Sequence, residues 1–305
     1  MTVTSPPPVA ARGVPAPIGD DDDTVGRLRA NPMAAVRSVA KWLVLALALV
    51  VSLFPFYWML RTSVSNHDEV FGDGFSLLPQ SLTFEPYARA WSEAGLGQAI
   101  TVGLIVTFGI LILQLLTVIP AAYALTVYRR KWTGGVFAFV MLCLLIPGQV
   151  TMIPLFIGLN QVGLADTLTA LILPFATSVL GTFMIRNQMM SVPPQLLEAC
   201  AMDGLGPVRT MVSIVAPMAK PGIAAFSVYS IFVHWNDYMW PLLVARSPDI
   251  HTPPLALAIF QDVDSGADYP ALAAGAAIVT LPIVLIFLVA QKHFVRGMSG
   301  TEITG

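Results

Sequence analysis

Apolar residues along this chain fall in blocks of about 20, the length a helix needs to cross ~30 Å of hydrocarbon. Six blocks lie at 40–60, 98–127, 135–158, 167–189, 221–245 and 270–293, with short polar stretches between them. The pattern predicts six transmembrane helices in an all-α, polytopic membrane protein. The first block, Trp42 to Leu60, is too long and starts too far along the chain for a secretory signal. No small-x-small cleavage site follows it, so it reads as a retained helix. Pro120, Pro147, Pro154, Pro174 and Pro282 fall inside blocks. Neighbouring helices in a bundle tolerate such prolines, which predict packing kinks or breaks that line a pathway.

Composition sharpens this picture. Residues of the AVILMFWYC set make up 56% of the 305 residues, and charged residues only 11%. A soluble protein is roughly 25% charged, so there is too little charge here to cover a globule. The mean hydropathy of +0.74 agrees. A net charge of −2 gives a nucleic-acid partner no support. Cys143 and Cys200 fall in different kinds of segment, and nothing points to a disulfide. Residues 1–35, with Pro6, Pro7, Pro8 and the run Asp20 to Asp23, read as a disordered tail, because so few apolar groups cannot offset the entropy of ordering. The organisation expected is that tail, a first helix and outer loop over 36–97, a five-helix core over 98–295, and a tail over 296–305.

Basic residues orient the helices. Segments 1–41, 128–134, 186–220 and 292–305 hold thirteen of the sixteen: Arg12, Arg27, Arg29, Arg37, Lys41, Arg129, Arg130, Lys131, Arg186, Arg209, Lys220, Lys292 and Arg296. The alternating segments hold only Arg61, Arg89 and Arg246. Both termini are therefore expected in the cytoplasm of a prokaryotic inner membrane. The outer loops carry acids, among them Asp68, Glu69, Asp73, Glu85, Asp249, Asp262, Asp264 and Asp268, read as solvated loop charges.

Ion-coupled transporters usually keep ionisable groups near the bilayer midplane. Here the blocks are nearly free of them: away from the block ends only His234 and Asp237 occur, in the outer half of the fifth. Energy for any transport is therefore expected from elsewhere. Enzyme signatures are missing too: no H-E-x-x-H and no G-x-S-x-G occur, which removes those zinc-protease and nucleophile-elbow chemistries. Gly-Lys never occurs, so the P-loop is excluded. If ATP drives this chain, another subunit hydrolyses it.

The cytoplasmic loop 191–220 is the most informative stretch. Pro193 and Pro194 can start a helix, Glu198 follows early where a negative charge suits the dipole, and Gly204 supplies a stop. A short amphipathic helix with a slim face at Ala199, Cys200 and Ala201 is predicted, then a second from about Pro207 to Val215. On these grounds alone it is an interfacial helix packed on its own bundle. Its spacing adds a second reading. Glu198-Ala199-Cys200, then Asp203-Gly204, Ile214 and Pro217 resemble the EAA loop of ABC importer permeases. Cys200 replaces the second alanine and Ala216 the usual leucine. Phe54 to Ser63, Trp235 to Pro241 and Phe294 to Gly297 extend the likeness to the sugar-importing branch, with the second permease chains of maltose-type and glycerol-phosphate-type systems the nearest kin. The last residues, Thr301 to Gly305, lack that branch's frequent lysine.

The resemblance implies the type I importer permease fold, and alternating access for a carbohydrate or sugar-like solute. Its partners would be a second permease subunit, two ATP-binding cassette subunits that carry the ATP and Mg, and an extracytoplasmic solute-binding protein. No cofactor or metal is expected in this chain, and no catalysis. Glu198, Ala199, Cys200, Asp203 and Gly204 would form the coupling helix. Trp235, Asn236 and Asp237 suit a sugar, through an aromatic face and polar groups toward hydroxyls, but Trp235, Tyr238 and Trp240 equally suit an interface belt. Gln149, Thr151, Asn160 and Gln161 either face a cavity or make interhelical hydrogen bonds. The rival solutes are an amino acid or peptide; the rival classes are an ion-coupled secondary transporter and a membrane-embedded enzyme.

Overall fold

The computed structural model describes residues 32–71, 76–127, 132–261 and 266–298. The expected tails up to 31 and from 299, and the charged stretches at 129–131, Asp73, Asp262 and Asp264, lie outside those residues. All regular elements among them are helical. The chain divides into two compact units, residues 1–54 and 55–305.

Three helices are long and apolar enough to cross a membrane by themselves: Ala40–Ser63, Leu96–Val127 and Tyr269–Val289. Three further pairs qualify only when joined across a bend, of 93°, 44° and 79°. The first, second and sixth expected spans correspond to the continuous helices and the third and fourth to bent pairs; the remaining pair joins Pro207–Met218, in the loop before the fifth block, to Lys220–Trp235, so six is the upper limit among the described residues. In the first helix, α1 (Pro32–Ser63), the stretch from Trp42 to Phe54 exposes large apolar side chains on every side. A helix that is apolar all round belongs in lipid or against another hydrophobic surface.

In residues 55–305 the segment after α1 carries α2 (His67–Phe71) and α3 (Glu85–Glu93). The central element is α4 (Leu96–Val127), against which α3, the helices of the fourth and fifth blocks and the stretch 248–256 pack. Pro120 sits inside it without a break. The third block is broken: α5 (Thr133–Leu142) ends in a short 3-10 turn, and α6 (Gly148–Gln161) starts at 93° to it. The cause is Pro147, which forces Ile146 out of the helical region to ψ 114°.

The fourth block comprises α7 (Leu168–Ile172), a 3-10 turn at Leu173–Phe175 containing Pro174, and α8 (Val179–Met189). Thr167 starts α7 by accepting the backbone N–H of Ala170, and Ser178 restarts the helix after the break by accepting that of Gly181. The loop 191–220 holds α9 (Pro194–Met202), α10 (Pro207–Thr210), a π turn at Met211–Val215 and α11 (Ala216–Met218).

The fifth block departs from expectation. The predicted helix over 221–245 is instead α12 (Lys220–Trp235), a break at Asn236–Tyr238, and a separate α13 (Met239–Val244). The apolar count misses the break because Tyr238 and Met239 keep the run hydrophobic while Asn236 and Asp237 bond locally to backbone. After α14 (Pro253–Ala256) the chain ends its described course in α15 (Tyr269–Met298).

Three apolar clusters hold residues 55–305 together. One joins α3, α4, α12 and α15 around Trp235, Phe260 and Ala274. One joins α4, α8 and α12 around Tyr123, Ile185 and Phe226. The third joins α4, α6, α7 and α13 around Ile110, Leu171 and Trp240. Helices approach closely at glycines: a Cβ on Gly181 would lie 2.5 Å from the Phe226 ring, and one on Gly103 would lie 2.7 Å from Pro253.

Two outer acids expected to be solvated are not. Glu69 is buried against Arg61, and its Oε1 also accepts the N–H of Gln80 at 2.9 Å. Asp268 pairs with Arg89 and caps α15 by accepting the N–H of Ala271 at 3.1 Å. A buried carboxylate without a partner is costly, so each acid is matched by a base from another element.

Candidate functional site

Two regions collect the residues singled out by sequence. The first is the loop between α8 and α12. Pro193 takes an extended conformation and Pro194 opens α9, since proline's missing N–H is no loss in the first turn. Cys200 is buried, and Leu196 and Leu197 pack against the cluster around Tyr123, Ile185 and Phe226. Gln195, Glu198, Ala201 and Met202 point away from it and are exposed.

The helix stops as its sequence predicts. Gly204 has φ +72°; its N–H donates to Ala201, and that of Leu205 donates to Cys200 at 2.9 Å. These two bonds are the Schellman motif, whose left-handed residue is glycine because a Cβ there is strained. Asp203 is the residue before the stop and is exposed. A Cβ on Gly204 would meet no atom within 4 Å. The loop therefore presents its stop, Glu198 and the apolar Met202, Val208 and Val212 outward. Behind α9 lies a cleft of about 330 Å³, walled by Val127, Met189, Val192, Leu197 and Glu198.

The second region is the break after α12. Trp235 is 1% exposed, and its indole N–H donates to the carbonyl of Val279 at 3.1 Å. Trp240 is equally buried and donates to Ala170 at 3.0 Å. Both rings are wall material, and neither forms an exposed belt. Between them the chain opens. Asn236 is exposed, its amide donating to Phe232 at 2.7 Å. Asp237 is half-buried and accepts the N–H of Trp240 at 3.4 Å, which starts α13. Gln149 and Asn160 lie at opposite ends of α6, both exposed. The structure thus brings Trp235, Asn236 and Asp237 to one place and leaves Gln149 and Asn160 apart from it in sequence and element.

Residues not singled out by sequence also matter. Gln114, midway along α4, is buried and bonded to Ser230 and His234 of α12. A lone Gln amid apolar residues was the available signal. Asp166 takes the left-handed conformation at φ 60°. Its carboxylate accepts the N–H groups of Arg246 and Ser247 at 2.8 and 2.9 Å, tying the loop after α6 to the loop after α13. Hydrogen bonds from Ser247 and Arg246 hold its pKa below the ordinary value. His251, in the same outer region, is held below its ordinary value by burial, with the Asp166 charge opposing.

The model of the binding-protein-dependent transport system inner membrane component family matches residues 115–300. The chain is similar to the arabinooligosaccharides transport system permease protein AraQ of Halalkalibacterium halodurans, 29% identical over 277 residues, covering 88% of this chain and 98% of that one. It is also similar to the lactose transport system permease protein LacG of Rhizobium radiobacter, 29% identical over 86% of this chain and 95% of that one. Among solved structures, a chain of a bacterial ABC transporter involved in import of the acidic polysaccharide alginate matches with a TM-score of 0.76. It is 20% identical, and the match covers 88% of this chain and 99% of that chain.

Proposed function

Because the chain belongs to the family of binding-protein-dependent transport system inner membrane components, we propose that it forms one half of the translocation pathway of an ATP-driven importer for a carbohydrate. The names of its relatives support the solute class: arabinooligosaccharides and lactose. The working assembly pairs it with a second permease subunit, two ATP-binding cassette subunits holding ATP and Mg, and an extracytoplasmic solute-binding protein. Both termini and the loop 191–220 lie in the cytoplasm.

One observation carries the reading. A short helix with a glycine stop turns its polar and small residues, and the exposed Met202, away from its own bundle. Such a face suits docking in a cleft of an ATP-binding subunit, with Glu198, Ala199, Asp203 and Gly204 setting the fit and the buried Cys200 holding α9 to its own bundle. Closure of the cassettes on ATP moves this helix, and α8 and α12, which flank the loop, carry the movement into the bundle. Asn236 and Asp237 offer hydrogen bonds to solute at the break after α12, with Gln149 and Asn160 further along the path; Trp235 fixes that break against α15. Co-expression with the neighbouring transport genes, purification through this chain and reconstitution in liposomes test the reading. ATP-dependent uptake of an arabinooligosaccharide or lactose supports it. Uptake that ignores ATP and collapses with the ion gradient overturns it.

A further inference from the structure

The polar group that joins α4 to α12 inside the bundle has a direction. The Ser230 hydroxyl donates to Gln114 Oε1 at 2.6 Å, and Gln114 Nε2 lies 3.2 Å from His234 Nε2. Gln114 is 3% exposed and Ser230 1%, so neither is rearranged by water. Once Ser230 occupies the amide oxygen, the amide nitrogen faces the ring. An amide nitrogen only donates, so His234 Nε2 must accept. The ring is then neutral with its hydrogen on Nδ1. Nδ1 has no hydrogen-bond partner among the described residues, yet it is not among the polar atoms sealed from the surface. A donor held in one orientation therefore reaches the surface of the chain at this point of α12. Beside it, the half-buried Phe175 ring lies 5.1 Å from the imidazole and edge-on to Trp240. Asn236 and Asp237 follow His234 by two and three residues.

We infer that His234 is a specificity-determining residue of the pathway, donating from Nδ1 to a hydroxyl oxygen of the passing sugar while Phe175 takes its C–H face. This rests on the importer reading and assigns contacts within it. Gln114 and Ser230 are positioning residues: they fix which nitrogen carries the hydrogen. Trp235, buried against α15, has no part in the contact.

Two isosteres separate solute contact from packing. Asparagine places an amide N–H near the position of Nδ1; glutamine places an amide oxygen near the position of Nε2. The whole complex is reconstituted, and ATP-driven uptake of arabinotriose, lactose and glycerol 3-phosphate is measured. In His234→Asn the KM of the transported sugar stays within about twofold of wild type. In His234→Gln, assembly and ATPase activity are kept but KM rises about tenfold, the scale of one hydrogen bond. The reverse pattern, with Gln normal and Asn unassembled, makes His234 a packing pin and overturns the inference, as do two normal variants. A second arm needs no solute: in a chain carrying Cys143→Ser and Cys200→Ala, Phe175→Cys is labelled by a charged methanethiosulfonate and Val44→Cys, on the apolar first helix, is not. Absence of labelling at 175 removes the open space the inference needs. Failure of the importer reading looks different: the wild-type complex takes up nothing with ATP, whatever the labelling.

Discussion

Gly204 is under two separable demands, and a substitution series tells them apart. Its φ of +72° costs an L-residue roughly 1–2 kcal/mol, and asparagine pays least among the alternatives. Its two chain neighbours aside, no atom of the described residues lies within 4 Å of an added Cβ, so within the permease the penalty is backbone strain alone. Stability of the isolated permease should therefore rank Gly, Asn, Ala, Val, with Gly204→Ala losing about 1 kcal/mol. Docking in a cleft is governed by volume instead. Retention of the ATP-binding subunits should rank Gly, Ala, Asn, Val, with Gly204→Val releasing them while the permease still inserts. Thermal unfolding in detergent reads the first order, and pull-down with ATPase activity reads the second. The reasoning is refuted if retention follows the stability order, with Asn above Ala, because the glycine then serves only to stop α9. Glu198→Ala should weaken retention less than Gly204→Val in the same assay.

Four further outcomes follow from other parts of the molecule. A cysteine at Leu78, 71% exposed, should be labelled by an impermeant reagent from outside, and one at Val208, 70% exposed, should not; the reverse pattern inverts the topology. Gly181→Leu should destabilise the permease by several kcal/mol, because its Cβ already falls 2.5 Å from Phe226, and Phe226→Ala should partly restore detergent stability. Asp237→Asn should change uptake KM or selectivity with assembly and ATPase activity intact; unchanged kinetics would leave Asp237 only its bond to Trp240. The clamp at Asp166 should weaken in acid: Asp166 has a depressed folded pKa, so its contribution is complete above the unfolded value and is lost as pH falls through the folded one. His251, also depressed, acts in the same direction below its unfolded value near 6.5, and protection from hydrogen exchange around Ser247, corrected for the intrinsic rate, should fall as pH drops, less so in Asp166→Asn.

Much of the fold was legible in the sequence, and what was not has particular causes. Block length and hydropathy located the membrane-crossing segments, because in lipid a helix is one of the few ways to satisfy every backbone group. The stop at Gly204 was readable because left-handed backbone strongly favours glycine. Hydropathy was blind to the break after Trp235, since its polar groups bond to nearby backbone rather than interrupting the apolar run. It was also blind to which aromatics are buried: Trp235 and Trp240 look like interface residues until their indole N–H groups are seen on carbonyls of α15 and α7. Glu69 and Asp268 read as solvated because their partners, Arg61 and Arg89, are brought to them only by tertiary folding. The Gln114–Ser230–His234 group pairs residues more than a hundred positions apart, a distance no local pattern spans.

The central claim is that α9 meets an ATP-binding subunit, and a photo-crosslinker replacing Met202 tests it most directly. Met202 is 83% exposed at the end of α9, one of the outward positions of the loop. Irradiated in cells expressing the full set of transport genes, this position should give a covalent adduct whose second component is the ATP-binding cassette subunit. The same probe at Leu82, 74% exposed in the outer loop, should give none with that subunit. An adduct to the ATP-binding subunit from Leu82 and not from Met202, or from neither, would contradict the account.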